Sequence, residues 1–375
     1  MSQAQLAERV GIARTTEIAI EQDKRRVSAE ELYRYAELLG RPLDYFLGLG
    51  AWADLDFKPL FRRFGEDAGP DGIEQSTLFE FESACRDYLE LETLNGLPDR
   101  QVPDVGEPSS QSIHDAERLA GVVRGYLGVG DESPLRDLRV LLEDGLAVRT
   151  FVAERAGRLS GASIHHDKIG GCVLVTRASV AHMRFTLAHE LGHLLAHRKR
   201  DGHVDLERAG RKPPEERFAD IFAAALLMPT RGVRERFTSI REASQEISDV
   251  DVLYLARAFG VSYPAMTYRL QNLRLVTPSL AEQLRAQHAA SPVGPERRAR
   301  EANIEQRFPD SSQWEQLPER YVFLAFRAYR NELVSTGRLA ELLRTDHDDA
   351  ASRFEQYLAR TDGAETAPGG SDEEE

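Results

Sequence analysis

Apolar residues at helical spacing dominate this chain, and period-two alternation is confined to short stretches. The pattern predicts an α+β protein that is mostly helical, with a small sheet. Near the start, helices are expected over Gln3–Val10, with Ser2 as its cap, and from Ala13 to about Gln22. A third, capped by Ser28 with Glu31 three residues on, runs to Leu39 before Gly40. Leu43, Tyr45 and Phe46 supply a hydrophobic close to a first domain, residues 1–50. Residues 51–112 read as a connector. They hold a Gly/Pro/Asp turn cluster at Gly65–Gly72 and one long helix striped by Leu78, Phe79, Phe81, Cys85, Tyr88, Leu89 and Leu91. The polar, proline-bearing stretch Asn95–Ser112 is the expected domain boundary.

A second domain, residues 113–275, opens with helices over Asp115–Leu127 and from Pro134 to Glu143. Leu146–Val152 and Cys172–Thr176 read as strands, the latter expected at the sheet edge or in its core. Helices follow over Phe185–His197, between the bracketing prolines Pro213-Pro214 and Pro229, and over Val233–Phe237, Ser248–Phe259 and Pro264–Leu273. Residues 276–360 form a helical C-terminal region, with amphipathic segments at Tyr321–Glu332, Thr336–Leu343 and Asp349–Leu358. Thr361–Glu375, rich in Gly, Pro, Asp and Glu, is expected to be a disordered acidic tail.

Composition narrows the picture. Of the 375 residues 41% are hydrophobic and 29% charged, and no apolar run reaches a membrane span. Cys85 and Cys172 stand far apart without a ligand-spaced neighbour, which fits reduced thiols and a cytoplasmic location. A net charge of −14 excludes bulk attraction to nucleic acid, so any DNA contact needs a local surface.

The chemistry concentrates at His189-Glu190-Leu191-Gly192-His193. Two histidines four apart share one helix face and can chelate a divalent metal, most often zinc. Glu190 projects beside them, where a carboxylate can accept a proton from water and pass it to a leaving amine. The bland alternative is a buried helix whose imidazoles are only hydrogen-bonded. A zinc hydrolase needs a third ligand. Ala196 and Lys199 exclude the layout that continues with Gly and then His. The second helix offers Glu216 as ligand, with Asp220 one turn on to hold a ligand imidazole. Glu215, His197 and His203 compete for the ligand role, and an acidic first turn without a metal is the bland alternative. His165, His166, Tyr263 and Tyr268 are candidate oxyanion donors by chemistry alone.

The pair His-Glu-Leu-Gly-His-Leu-Leu and Glu-x-x-Ala-Asp-x-Phe-Ala-Ala-x-Leu-Leu-Met-Pro resembles the ImmA/IrrE family of zinc metallo-endopeptidases over roughly residues 113–275. The resemblance implies a gluzincin-like core of small sheet plus active-site helices. It implies Zn2+ held by His189, His193 and Glu216, Glu190 as general base, and Asp220 as hydrogen-bond partner of a ligand. The implied substrate is a helix-turn-helix repressor, whose cleavage would switch on a stress-response or mobile-element programme.

The first domain resembles an XRE-type helix-turn-helix, lacking a first helix that the family places ahead of residue 1. It implies a recognition helix at Ala13–Gln22 offering Arg14, Thr15 and Thr16 to the major groove, with Gln3 and Lys24–Arg26 near phosphates. Glu17 occupies a position that is usually apolar, and residues 1–48 carry seven basic against eight acidic side chains. Docking onto a similar fold is the rival role, and the sequence is compatible with a homodimer. The alternative to an endopeptidase is a DNA-binding regulator that uses the metallopeptidase fold as a sensor or dimerisation body.

Overall fold

The computed structural model describes residues 3–21, 24–39, 72–98, 100–106, 108–197, 202–206, 212–244, 246–305, 308 and 313–365. Ser2, Gln22, Gly40, the apolar close at Leu43–Phe46, the turn cluster up to 71 and tail residues 366–375 lie outside the described residues. The chain divides into two compact units, Met1–Ser83 and Ala84–Glu375.

In the first unit, α1 (Gln3–Val10), α2 (Arg14–Glu21) and α3 (Ala29–Leu39) pack around Ala7, Val10, Tyr35 and Ala36. Gly11, at φ +79°, makes the turn between α1 and α2, a conformation that a side chain would strain. The expected capping box is present. Ser28 Oγ accepts from the Glu31 amide at 3.2 Å, and Glu31 Oε2 accepts from the Ser28 amide at 2.9 Å. Glu17 is buried, and its carboxylate accepts the hydroxyl of buried Tyr35. The polar residue in an apolar position is thereby satisfied from α3.

Helix α4 (Gly72–Leu94) carries the cut between the units within its length. The second unit is built on a four-stranded sheet in the order β1-β3-β2-β4, from β1 (Val148–Ala153), β2 (Leu159–His166), β3 (Gly170–Thr176) and β4 (Gly202–Leu206). β1 and β3 are parallel; the other pairs are antiparallel. The sheet edge is therefore not the strand containing Cys172–Thr176. Both sides of β3 are taken, by β1 and β2, and every residue of β3 is buried. Its backbone has nothing left to offer a peptide, and β1 and β4 form the two edges instead.

Helix α5 (Ile113–Tyr126) starts at Ser112, whose side chain accepts from the Asp115 amide. The helix expected from Pro134 begins only at Leu138, as one short turn to Val140 continuing as a π-type turn over Leu141–Gly145. The reason is competition for carbonyls. Leu135 O and Arg136 O accept from Arg184, and Ser133 O accepts from Arg124. The stretch read as polar and the start of the C-terminal region also pack. Val102 and Val105 join the core within 95–112, and Leu284 and Ala299 do so beyond 276.

Around the sheet lie α6 (Val180–Ala196), α7 (Pro214–Leu227), α8 (Thr230–Ala243), α9 (Asp249–Phe259), α10 (Tyr263–Asn272), α11 (Pro278–Ala290) and α12 (Pro295–Glu301). The chain then forms α13 (Glu319–Arg330), α14 (Thr336–Leu343) and α15 (His347–Glu365). Residues 361–365, read from sequence as tail, are thus helical. Buried arginines bind helix ends to their neighbours. Arg124 donates to Leu226 O at 2.6 Å, Arg184 to Gly260 O at 3.0 Å and Arg269 to Met228 O at 3.0 Å. Each guanidinium satisfies carbonyls that a helix terminus leaves unpaired.

Candidate metal centre

Two helices and two strands build the site. Helix α6 begins at Ser179, whose side chain accepts from the His182 amide, and buries Leu187, Leu191, Leu194 and Leu195. Helix α7 begins after Pro213, with Pro214 as its first residue, and Phe218, Ala219, Phe222 and Ala223 are buried along it. Gly192, between the two histidines, sets how closely these helices approach. A Cβ there would stand 2.9 Å from Phe222 Cδ1 and 3.3 Å from Ala219 Cα. The close approach brings the first turn of α7, with Glu216, up to His189 and His193.

The ring nitrogens His189 Nε2 and His193 Nε2 lie 3.1 Å apart. Glu216 Oε2 is 3.3 Å from the first, and Glu216 Oε1 is 3.6 Å from the second. Donors held at ~2.0–2.1 Å around a tetrahedral ion are separated by about 3.3–3.4 Å, which these distances bracket. His203 Nε2 is 3.2 Å from Glu216 Oε1, off the line a hydrogen bond requires, and is buried without a hydrogen-bond partner. His189, His193, His203 and Glu216 together form one group able to hold a metal, with donor atoms all within 4.8 Å of one another. Glu215 is not in it.

Asp220 Oδ1 lies 3.1 Å from His189 Nδ1, and Lys212 Nζ donates to both Asp220 oxygens at 3.0 and 2.8 Å. The other nitrogen of His193 meets His197 Nδ1 at 3.2 Å, and His197 Nε2 lies 3.4 Å from Gln111 Oε1. His197 therefore faces the outer nitrogen of His193 rather than the metal group. Both arrangements fix which nitrogen of each ring points inward.

Glu190 is completely buried. Ser163 Oγ donates to its Oε2 at 2.8 Å, while Oε1 has no partner. Gly161 packs against it so closely that a Cβ would stand 3.0 Å from Glu190 Cγ and Oε1 and 2.7 Å from Thr186 Cγ2. Burial pushes the Glu190 carboxyl up to about 7. Burial likewise lowers His193, to about 3, keeping that imidazole neutral. For His189, burial is outweighed by the hydrogen bonds to Asp220 and Glu216, which raise it to about 10. Glu216 is driven far below the usual carboxylate range; burial opposes this, and the imidazoles of His189, His193 and His203 override it. The net arrangement is an anionic ligand beside inward-facing ring nitrogens, with one proton-accepting carboxylate alongside.

Three of the four candidate oxyanion donors are engaged elsewhere, and His165 lies on β2 opposite Gly171. His166 Nδ1 accepts from the Lys168 amide, the Tyr263 ring stacks on His288, and exposed Tyr268 lies under Arg285. Ser163, Gly161 and His203 belong to strands β2 and β4, for which no strand was expected. One signal was available: Gly161, within the small-residue run Ser160–Ser163, marks a place where something can pack closely against the backbone. In the first unit Arg14 and Thr15 are exposed and Thr16 half-buried at the start of α2; the side chain of Gln3 lies outside the described residues.

Residues 147–271 match a peptidase family model described as the IrrE N-terminal-like domain. Residues 1–46 match a helix-turn-helix model. No curated protein matches the chain. The chain thus joins a helix-turn-helix domain to a peptidase-type domain whose histidine and glutamate cluster could bind a metal. No helix among the described residues is long and apolar enough to cross a membrane.

Proposed function

We propose that this chain is a cytoplasmic zinc endopeptidase that cleaves a helix-turn-helix repressor and so releases a stress-response or mobile-element programme. The carrying observation is the convergence of His189 Nε2, His193 Nε2 and the Glu216 carboxylate beside a buried glutamate with one unpartnered oxygen. A zinc ion held by His189, His193 and Glu216 would polarise the scissile carbonyl as a Lewis acid and bring the pKa of a water toward ~7.

The rest is the work of the chain's own side chains. Asp220 takes the Nδ1 proton of His189 and His197 pairs with Nδ1 of His193, so both rings turn Nε2 inward. Ser163 holds one oxygen of Glu190, leaving Oε1 to accept the proton of the attacking water. The same carboxyl then delivers that proton to the leaving amine. Reduced, buried Cys85 and Cys172 support the cytoplasmic assignment. Exposed Arg14 and Thr15 at the start of α2 support DNA contact by the N-terminal module, which would bring the peptidase to its repressor.

The test is incubation of the zinc-loaded protein with helix-turn-helix repressors encoded beside it, with cuts mapped by mass spectrometry. Cleavage by wild type and its loss in Glu190→Gln, with zinc retained, is the expected result. Equal cleavage by both proteins would remove Glu190 from the reaction, and no cleavage by loaded wild type would remove the repressor as substrate.

A further inference from the structure

His203 stands in the metal-binding group by distance, yet its ring is set differently from the others. It stacks on His193 with centroids 3.6 Å apart and planes only 14° from parallel. An imidazole binds an ion with an in-plane lone pair. Two rings inclined by so little at a stacking distance have planes that meet only far beyond the ~2.0–2.1 Å reach of a metal–nitrogen bond. When His193 holds an ion, His203 does not hold the same one. By contrast, the planes of His189 and His193 are inclined by 63°, which allows a common point.

What remains is a buried ring nitrogen beside the ligand set that makes an ion-pair contact with Glu216 Oε1 at 3.2 Å but no hydrogen bond. Buried polar atoms in native proteins are nearly always satisfied, so an orphan in a site calls for a ligand atom. Strand register specifies where it faces. His203 is opposite Ser163 and Asp205 opposite Gly161 on β2, and these two β2 residues are the ones packed on Glu190. Alternation along β4 places His203 and Asp205 on the same sheet face, over the general base.

We propose that His203 is the hydrogen-bond donor to the carbonyl oxygen of the scissile peptide, not a fourth metal ligand. The inference rests on the peptidase reading above. As the water oxygen bonds to the carbonyl carbon, the C=O π electrons move onto the carbonyl oxygen and the water proton passes to Glu190. The Nε2–H of His203 donates to that charged oxygen. When the C–N bond breaks, the electrons return to re-form the C=O bond and Glu190 protonates the departing nitrogen. Stacking on His193 holds the donor in place without help from substrate, which is what preorganised stabilisation requires.

The experiment compares wild type, His203→Ala and His203→Gln for zinc content and for binding of acetohydroxamate, an oxygen ligand for zinc peptidases, by calorimetry. Zinc occupancy reports that each variant is folded around its site. The expected result is about one zinc per chain in all three. Acetohydroxamate binding should weaken about tenfold in His203→Ala and be largely restored by the amide donor of His203→Gln. Loss of zinc from His203→Ala, with wild type loaded, would overturn the proposal in favour of a ligand role. Unchanged hydroxamate affinity in His203→Ala, or none in loaded wild type, would overturn it as well. Wild type that takes up no zinc would instead fail the peptidase reading itself, and this inference with it.

Discussion

Gly161 on β2 abuts Glu190 on α6, leaving no room for even one methyl group between the strand and the buried carboxylate. The glycine sets the position of the proposed base from the strand that packs on it. Gly161→Ala should therefore push Glu190 off its hydrogen bond with Ser163. Peptide cleavage should fall at least about tenfold, and stability by ~1–3 kcal/mol, while zinc content stays unchanged. Turnover and zinc measured on the same preparation decide it; full activity would show that the strand does not position Glu190.

Gly192 plays the corresponding part between helices. With Phe222 Cδ1 2.9 Å and Ala219 Cα 3.3 Å from where a Cβ would lie, Gly192→Ala must move α7 away from α6 or displace Phe222. Glu216 rides on that helix, so zinc affinity should weaken along with stability. Competition against a chelator measures the first, and urea denaturation the second. A variant that binds zinc as wild type does would mean Phe222 yields and the helices stay put.

Asp220 contacts no inward-facing donor; it holds the outer nitrogen of His189 and is itself held by Lys212. Asp220→Ala should weaken zinc binding about 10–100-fold without abolishing it, the effect of losing an outer hydrogen bond to a ligand. Complete loss of zinc would make Asp220 a ligand, and no change would leave the His189 tautomer fixed by other means.

In the first unit, the buried Glu17 carboxylate depends on Tyr35. Tyr35→Phe strands that carboxylate and should destabilise the module by roughly 1–3 kcal/mol. Adding Glu17→Leu should recover most of the loss, since an apolar pair of similar shape leaves no polar group unpaired. Thermal unfolding of the two variants, followed by circular dichroism, gives the comparison. A double variant no more stable than Tyr35→Phe would contradict this account.

How much of this was legible in the sequence depended on whether the signal was local. His189, His193 and Glu216 could be read because helical spacing places them relative to one another and the prolines at 213 and 214 mark where α7 starts. The Ser28–Glu31 box is local in the same sense. Strand β2 was missed because its residues are buried on both faces up to Ile164, so no alternation shows, and β4 has only five residues. With them went Ser163 and Gly161, which reach the site through sheet register, and the strand that places His203, a residue named from the sequence only as a competing ligand. The late start of the Leu138 helix was equally unreadable, since it depends on Arg124 and, from 49 residues along the chain, Arg184 taking carbonyls ahead of it.

The most direct test of the central claim is metal content by elemental analysis on wild type, Glu216→Gln and His189→Ala, purified without chelator. The three-ligand site predicts about one zinc per chain in wild type and its loss in both variants. Zinc retained in Glu216→Gln would contradict the assigned ligand set, and wild type free of zinc would contradict the enzyme reading altogether.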